Sequence, residues 1–248
     1  MKRYSVPKFI NTYLFRHLGV RLEKLERTFE GQRANLIRDL KPELIIDGGA
    51  NIGQWASQVR KVNPALKIWS FEPLEESRKQ LEKVSNRYRN EWEVFPFALG
   101  QKNETRYINI ASNSQMSSSF FDSTIHSQIR PEITFDSQQE VEVISLDSLE
   151  HRLQEFKNIF LKLDVQGFEL SVILGAVKIL PKISMIELES SFTPLYEGET
   201  AHHELIVKIK ELGFTVWCIS TPSSEKSGRQ FALDTLLIRS DLIEEVRS

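Results

Sequence analysis

The chain has little of what secreted and membrane proteins usually contain. Its single cysteine, Cys218, cannot form an intrachain disulfide, which suits a reducing compartment. No apolar run approaches the ~20 residues that span a membrane. The basic N-terminal residues are not followed by the apolar segment and cleavage site of a secretion signal. We therefore expect a cytoplasmic protein without a transmembrane segment.

An excess of one charge is also absent. The 32 Lys and Arg residues are balanced by 34 Asp and Glu residues, and the two signs are intermixed along the chain. A chain without a basic tract is not expected to bind nucleic acid. Its 248 residues suffice for one α/β domain with an extension and for a substantial core. The pattern leaves the oligomeric state open, a homo-oligomer included.

Residues 1–40 differ in pattern from the rest of the chain. Apolar residues recur there at loosely helical spacing: Phe9, Tyr13, Leu14, Phe15, Leu18, Leu22, Leu25, Phe29, Leu36, Ile37 and Leu40. The pattern predicts helices that are interrupted at Gly31 and ended by Lys41-Pro42. We expect a helical N-terminal cap that packs on a domain spanning 41–248. The basic residues of the cap leave binding to a membrane surface as the alternative.

From residue 43 onward, predicted strands alternate with predicted helices, which is typical of a parallel sheet covered on both faces. The predicted strands are 43–47, 67–72, 92–97, 159–164, 183–189, 214–219 and 233–238. The predicted helices are 52–63, 74–86, 147–154, 168–180 and 202–212. After the third strand comes an irregular, serine-rich insertion, 111–140, with edge strands predicted at 105–110 and 140–145. We predict that this insertion forms a lid over the carboxyl edge of the sheet.

The segment from Leu44 to Gly53 reads L-I-I-D-G-G-A-N-I-G. It predicts a buried strand that ends in Asp47, followed by a glycine-rich turn that opens a helix. Glycine permits a positive φ and a close approach of a ligand to the backbone. A second acid, Glu72, ends the next apolar run roughly 25 positions further on, a spacing near that of nucleotide-binding folds. Two strand-ending acids beside a glycine turn indicate a site for a nucleoside.

The glycines do not match the dinucleotide fingerprint G-x-G-x-x-G, because the turn from Gly49 reads G-A-N-I-G. Asp47 would repel a pyrophosphate, whereas it suits an amino-acid ammonium, and S-adenosylmethionine carries both that group and a ribose. The pattern is similar to the first motif of class I methyltransferases, D/E-x-G-x-G-x-G, with Asn51 in place of the middle glycine. A nicotinamide dehydrogenase and a turn that binds no ligand are the alternatives.

Further polar residues lie at predicted strand ends. In 159–169, which reads I-F-L-K-L-D-V-Q-G-F-E, Lys162 and Asp164 alternate with apolar residues at the carboxyl end of a strand. Open α/β sheets place ligand sites at that end, and a structural ion pair is the alternative. Glu187 and Glu189 end the next strand and, being two apart, share one face of the sheet.

Five segments in one order carry a specific resemblance: D-G-G-A-N-I-G, F-E-P, A-L-G, L-K-L-D-V-Q-G-F-E-L and I-L-G-A. With them the chain resembles, from Leu44 to Phe214, the FkbM family of S-adenosylmethionine-dependent methyltransferases. The resemblance implies a class I methyltransferase, Rossmann-like α/β fold, in which a seven-stranded and mostly parallel sheet has its last strand antiparallel. It also implies methyl transfer, usually to a hydroxyl of a sugar, glycan or natural-product intermediate. The family commonly has Glu where Gln166 stands.

The resemblance also implies roles for single residues. Those expected to line the methionine end of the cofactor are Asp47, Gly49, Asn51 and Gly53, and Gly48 is a further expected cofactor-binding residue. Glu72 would hold the ribose hydroxyls, because a carboxylate accepts two hydrogen bonds from a vicinal diol. Pro73 and Ala98 would flank the adenine, and Asp164 would face the reacting methyl group and the acceptor.

A hydroxyl acceptor must lose its proton as it attacks, so we expect a base. The candidates are Asp164, Glu189 and Glu187, of which Glu187 has pairing with Lys162 as its alternative role. The predicted catalytic residues are Asp164 and Glu189, together with Lys162, which lies two positions before Asp164.

Other acceptor-side features are less specific. His126 in the insertion is a further candidate base, and Phe120, Phe121 and Phe135 are candidates to contact a sugar. His202 and His203 are expected at a solvated helix start. Two carboxylates on adjacent strands also allow a divalent cation, although no full ligand set can be identified. The alternatives for function are N-methylation, a non-sugar acceptor, or a binding module without turnover.

Overall fold

The computed structural model describes residues 8–19, 22–88, 91–113, 115–123, 129, 132–221, 223–224 and 228–247. The candidate base His126 lies outside these residues. The α-helices are α1 (Lys8–Leu18), α2 (Phe29–Leu40), α3 (Gln54–Val59), α4 (Glu75–Ser85), α5 (Glu150–Leu153), α6 (Glu169–Leu174), α7 (His202–Glu211) and α8 (Ile243–Arg247). The strands are β1 (Leu44–Gly48), β2 (Lys67–Phe71), β3 (Trp92–Phe95), β4 (Ala98–Leu99), β5 (Glu104–Ile110), β6 (Ser137–Ile144), β7 (Ile159–Leu163), β8 (Ile183–Ser191), β9 (Phe214–Ile219), β10 (Ser223–Ser224) and β11 (Gln230–Arg239).

The main sheet has the order β3-β2-β1-β7-β8-β11, and β9 pairs with β11 at its outer edge. Strands β3, β2, β1, β7 and β8 run parallel, whereas β11 is antiparallel to both β8 and β9. The short strand β10 also pairs with β11. The predicted class I methyltransferase sheet, with its last strand antiparallel, is confirmed. The chain order reverses between β1 and β7, which is where open α/β sheets place their ligands.

The third predicted strand, 92–97, is β3 in the structure and is shorter than predicted. β3 ends at Phe95, and the next residue, Pro96, has no N–H to donate to a sheet. Ala98 and Leu99 then form β4, which pairs with β6 in a separate sheet of order β4-β6-β5. The two predicted edge strands of the insertion are present as the antiparallel pair β5 and β6, of which β6 begins earlier than predicted, at Ser137.

Two predicted helices end earlier than the apolar periodicity indicated. The helix predicted at 52–63 is α3, and the one predicted at 168–180 is α6, which ends at Leu174. A Cβ at Gly175 would lie 2.1 Å from the carbonyl oxygen of Gly100. α6 therefore ends where the backbone at Gly175 lies close to the backbone at Gly100, a residue distant in sequence.

Apolar side chains are buried on both faces of the main sheet, because successive residues of a strand point to opposite sides. Ile46, Phe71 and Leu161 belong to one core cluster. Ile45 and Phe160, each next to a residue of the first set, belong to the other.

The two N-terminal helices behave differently. α2 contributes Phe29, Leu36 and Ile37 to the second core cluster. In α1 four apolar side chains are exposed: Phe9 by 73%, Tyr13 by 62%, Phe15 by 55% and Leu18 by 66%. None of the described helices is long and apolar enough to cross a membrane.

The predicted interruption at Gly31 is also wrong. Gly31 lies in the first turn of α2, where its N–H donates to the Oγ of Thr28, the N-cap residue, at 3.1 Å. The chain turns before this helix, in a short 3₁₀ segment at Leu25–Arg27. A Cβ at Gly31 would lie 1.6 Å from the carbonyl oxygen of Leu25, so the glycine permits the close approach of this segment to the helix.

Candidate active site

A cleft opens at the carboxyl ends of the strands where the chain order reverses, with an empty volume of about 1030 Å³ that includes open solvent. Seven predicted site residues line it: Gly49, Asn51, Glu72, Pro73, Ala98, Lys162 and Asp164. Asp47, Gly48, Gly53 and Glu189 are not part of its lining. Arg33, Trp55 and Asp234, which the sequence analysis did not single out, are part of it.

The turn after β1 has the left-handed backbone that its composition indicates. Gly49 has φ of 74°, Asn51 of 47° and Gly53 of 82°. Asparagine adopts this region more readily than most other residues, which explains why Asn51 can stand at a glycine position. A Cβ at Gly49 would lie 1.9 Å from the carbonyl oxygen of Asp164, so this glycine lets the turn approach the end of β7.

The carboxylate of Glu72 is held by two backbone amides. Its Oε2 accepts a hydrogen bond from the N–H of Asn51 at 2.8 Å, and its Oε1 accepts one from Leu74 at 2.9 Å. Burial raises the pKa of Glu72 to about 7, against the opposing effect of these two amides. The acid is therefore fixed between the turns after β1 and β2, and its charge depends on pH near neutrality.

Asp47 lies fully buried in β1. Its Oδ2 accepts a hydrogen bond from Ser70 Oγ at 3.2 Å, and Trp92 Nε1 donates to that hydroxyl at 2.9 Å. Its Oδ1 is buried and has no hydrogen-bond partner in the described part of the chain. Burial raises the pKa of Asp47, and the nearby ammonium of Lys162 opposes that increase.

Lys162 and Asp164 form an ion pair at the end of β7, with Lys162 Nζ 3.1 Å from Asp164 Oδ2. The lysine side chain is 7% exposed and that of Asp164 is 39% exposed. Burial would lower the pKa of Lys162, but the carboxylates of Asp164, Asp47 and Glu187 raise it to about 12. Burial would raise the pKa of Asp164, but Lys162 and the hydrogen bond from Gln166 hold it below its usual value. Both groups are therefore charged at neutral pH.

Gln166 links Asp164 to Glu189. Its Nε2 donates to Asp164 Oδ1 at 2.7 Å and to Glu189 Oε2 at 3.0 Å. The hydroxyl of Tyr196 lies 2.9 Å from Gln166 Oε1 and 3.0 Å from the carbonyl oxygen of Ser117, so it can donate to either. Tyr196 is buried, and the sequence analysis missed it. Gln166 thus presents its N–H groups to two acids and its oxygen to a hydroxyl, an arrangement in which an amide suits the position.

Glu189 lies in a second pocket that shares Met116, Asp164 and Gln166 with the cleft. Burial raises the pKa of Glu189 well above its usual value, and the carboxylates of Asp164 and Asp234 raise it further. Asp234 faces Glu189 across the β8–β11 pair. Glu189 therefore holds a proton more readily than Asp164 does, so the two candidate bases differ in charge.

Glu187 binds Arg33 rather than Lys162, so the pairing considered for it is corrected. Arg33 Nε donates to Glu187 Oε2 at 2.7 Å, and Trp55 Nε1 donates to Glu187 Oε1 at 2.9 Å. Arg33 comes from α2, where it lies on the buried face together with Phe29. A charged residue on an apolar helix face was the available signal for it.

The described part of the insertion packs against the site. Ser117, Ser118 and Ser119 are buried, and Ser119 Oγ donates to the carbonyl oxygen of Gln166 at 2.7 Å. These three serines are therefore packed inside the protein rather than on an exposed loop. Phe120 lines the cleft.

Four further candidates are not part of the cleft lining: Phe121, Phe135, His202 and His203. His202 Nδ1 lies 2.8 Å from Ser190 Oγ at the start of α7. Among the described residues, no group of three or more His, Cys, Asp and Glu side chains is arranged to hold a metal ion.

The sequence and the fold are similar to those of known methyltransferases. The sequence matches the family described as "Methyltransferase FkbM domain" over residues 47–216, more than half of the chain. The crystal structure of Methyltransferase FkbM from Methylobacillus flagellatus KT has a TM-score of 0.53 at 16% identity, over 86% of this chain and 48% of that one. The chain thus spans about half the length of that protein.

Two further solved structures are similar at lower scores. A putative RNA methyltransferase from Pyrococcus horikoshii gives a TM-score of 0.43 at 12% identity, over 94% of this chain and 99% of that one. Magnesium protoporphyrin IX methyltransferase from Synechocystis PCC 6803 with bound SAM gives a TM-score of 0.44 at 10% identity, over 97% of this chain and 100% of that one. No curated protein matches the sequence. On the family match, the chain belongs to the FkbM methyltransferase family.

Proposed function

We propose that this protein transfers a methyl group from S-adenosylmethionine to a hydroxyl oxygen of a sugar, glycan or natural-product intermediate. One observation carries the proposal. The cleft holds one fixed carboxylate, Glu72, beside the turn after β1 and a second, Asp164, directly after β7, the strand that pairs with β1 on its other side. Two carboxylates placed on opposite sides of β1 suit a ligand with a ribose at one end and a reacting group at the other.

The residues present fit S-adenosylmethionine, which would supply an electrophilic methyl group on a sulfonium. Those proposed for its methionine end are Asp47, Gly48, Gly49, Asn51 and Gly53. Asp47 Oδ1 has no hydrogen-bond partner in the described part of the chain, and its negative potential would attract the ammonium of the methionine part. Glu72 would hold the ribose diol, because each of its oxygens keeps a free acceptor position beside its backbone hydrogen bond. Pro73 and Ala98 would flank the adenine.

On the acceptor side, Asp164 would orient the hydroxyl and accept its proton as the oxygen attacks. Lys162 keeps Asp164 ionised before the reaction, since its ammonium favours the carboxylate form. Glu189 remains neutral more readily and limits the repulsion between neighbouring acids. We include residues 1–40 as a cap, 111–140 as an acceptor-side lid, and a cytoplasmic location in the proposal.

Calorimetry with S-adenosylmethionine and with NAD tests the cofactor. We expect binding of the first and none of the second, and the reverse result would favour a dehydrogenase.

Transfer of an isotopically labelled methyl group to cell-extract glycans tests the reaction. The methylated atom of the product is then assigned by NMR. A methyl ether supports the proposal, whereas a methylamine would replace it by N-methylation. Cofactor binding without transfer to any acceptor would favour the binding module.

A further inference from the structure

Arg33 brings a largely unused guanidinium to the cleft from outside the family match, which begins at residue 47. The residue is 8% exposed, and its Nε donates to Glu187 Oε2 at 2.7 Å. A guanidinium carries five N–H groups. Within the described part of the chain, its Nη1 and Nη2 donate no hydrogen bond. A buried guanidinium that lines a cleft with free donors is suited to bind an oxyanion in a bidentate manner.

The position of Arg33 is tied to the glycine turn. Its Cζ lies 5.5 Å from the ring centre of Trp55, which is two residues beyond Gly53 in the helix that the turn opens. Trp55 and Arg33 bind the two oxygens of the same carboxylate, Glu187. The guanidinium is therefore held against α3, on the side of the cleft proposed for the methionine part.

Among the described residues that line the cleft, the second cation is Lys162, whose Nζ already contacts Asp164. A ligand carboxylate there would be repelled by Asp164, Asp47 and Glu187, whose carboxylates all raise the pKa of this ammonium. Arg33 lies near acids as well, since it affects Asp234 in addition to Glu187. Such a mixture of charges suits an α-amino acid, which carries an ammonium and a carboxylate on one carbon.

We propose that Arg33 binds the α-carboxylate of the cofactor's methionine part through its Nη groups, so that the N-terminal segment completes the cofactor site. The inference rests on the proposed function and adds to it the residue that recognises the amino-acid end. The acceptor is a less suitable source of the carboxylate, because Arg33 does not line the second pocket, which contains Glu189 and Tyr196.

The test compares two ligands that differ in one group, S-adenosylmethionine and decarboxylated S-adenosylmethionine, by calorimetry on the full chain. Charged hydrogen bonds are each strong enough that the wild type should bind the carboxylated ligand about 10–100-fold more tightly. Arg33→Gln should reduce this preference to less than about threefold. The substitution should lower the affinity for S-adenosylmethionine more than the affinity for the decarboxylated ligand. Arg33→Lys should retain part of the preference, because it keeps the charge without the planar fork.

Two further variants test whether the preference is lost because Glu187 loses its cation or because any positive charge near the cleft is removed. Arg33→Gln leaves Glu187 buried without its cation, so the double variant Arg33→Gln/Glu187→Gln must lose the preference in the same way. Arg78→Gln removes a positive charge near Glu72, where Arg78 Nη1 donates to the carbonyl oxygen of Pro73, and should keep the preference.

The outcomes separate the inference from the proposed function. A preference that survives in Arg33→Gln and in Arg33→Gln/Glu187→Gln, or that Arg78→Gln abolishes equally, overturns the role of Arg33 and leaves methyl transfer intact. A wild type that binds neither ligand overturns both.

Discussion

On the side of the cleft formed by the turns after β1 and β2, backbone amides hold the carboxylate of Glu72, whereas side chains hold Asp164 at the end of β7. The amides of Asn51 and Leu74 belong to the turns themselves. Asp164 depends on Lys162, its neighbour in β7, and on Gln166, which in turn contacts Tyr196, 30 positions away in the sequence.

The difference indicates which changes each side tolerates. A carboxylate held by backbone amides keeps its position as long as the turn keeps its conformation. Substitution of the glycines that permit this conformation should therefore displace it. A carboxylate held by a side-chain network is sensitive to single substitutions and to the protonation of its neighbours. Binding of the cofactor and turnover should therefore respond to separate sets of substitutions.

The largest expected effect comes from Gly49→Ala, which affects both sides. The new Cβ would lie 1.9 Å from the carbonyl oxygen of Asp164, and the residue has φ of 74°. We expect a loss of more than about 4 kcal/mol in the free energy of unfolding. Chemical denaturation measures this loss. Gly213→Ala is the matched control, because it has φ of 92° and no atom within 4 Å of the added Cβ. It should lose only about 1–2 kcal/mol. Equal losses would show that the contact between the turn and β7 is unimportant.

Asp164→Asn tests the acceptor side alone. The substitution keeps the shape and removes the charge, so kcat should decrease by roughly 10²–10⁴ if Asp164 is the base. The affinity for the cofactor should remain nearly unchanged, because the group acts mainly in the transition state. Single-turnover kinetics and calorimetry measure the two quantities. Retention of more than about a tenth of the turnover would transfer the role to Glu189.

The same two regions differ in how far they could be predicted from sequence. The strand ends at Asp47 and Glu72 follow from apolar runs and glycines within a few residues of each other. The parallel order of the sheet follows from the alternation of strands and helices. Arg33 could not be placed beside Glu187 in this way, nor Tyr196 beside Ser117, because these contacts join segments more than 70 positions apart. No local pattern encodes such contacts.

The boundaries that differ from prediction have the same kind of cause. The periodicity after Phe168 continues beyond Leu174, but the backbone contact between Gly175 and Gly100 ends α6. The glycine that predicted a break, Gly31, instead accommodates the carbonyl of Leu25. Sequence periodicity predicts which face of a segment is buried, whereas the close approach of a distant backbone decides where the segment ends.

Glu72→Ala tests the cofactor side alone. It removes acceptors whose charged hydrogen bonds contribute about 1.5–3 kcal/mol each, so the affinity for S-adenosylmethionine should fall at least about tenfold. Circular dichroism checks that the fold is retained, and calorimetry measures affinity. Unchanged affinity in a folded variant would contradict the ribose role.

The pKa of Glu72 adds a pH test of the same side. Because burial raises this pKa to about 7, the carboxylate form that accepts both ribose hydroxyls predominates only above that pH. The affinity should therefore decrease as the pH falls from 8 to 6. Glu72→Gln, which cannot titrate, should lack this component. A pH profile shared by both proteins would assign the titration to another group.

Tyr196→Phe should give the smallest effect and the sharpest distinction between the two sides. The hydroxyl of Tyr196 contacts Gln166 Oε1 at 2.9 Å, and the amide of Gln166 donates to both Asp164 and Glu189. Its loss removes one hydrogen bond of about 1 kcal/mol, so kcat should fall by about fivefold. The affinity for the cofactor should not change, because Tyr196 lines the second pocket and not the cleft.

If Tyr196 positions Gln166, Tyr196→Phe should also change the pH dependence of kcat, which a merely structural role would leave unchanged. When Gln166 is free to rotate, its amide no longer holds Asp164 in the charged form, and the pKa on the acidic limb of the kcat profile should rise. Tyr107→Phe is the control, since Tyr107 is 60% exposed on β5, and it should leave both the rate and the profile unchanged. A Tyr196→Phe variant with reduced cofactor affinity and an unshifted pH profile would mean that the two sides are not separable. The side chains around Asp164 would then support the whole cleft rather than the acceptor side alone.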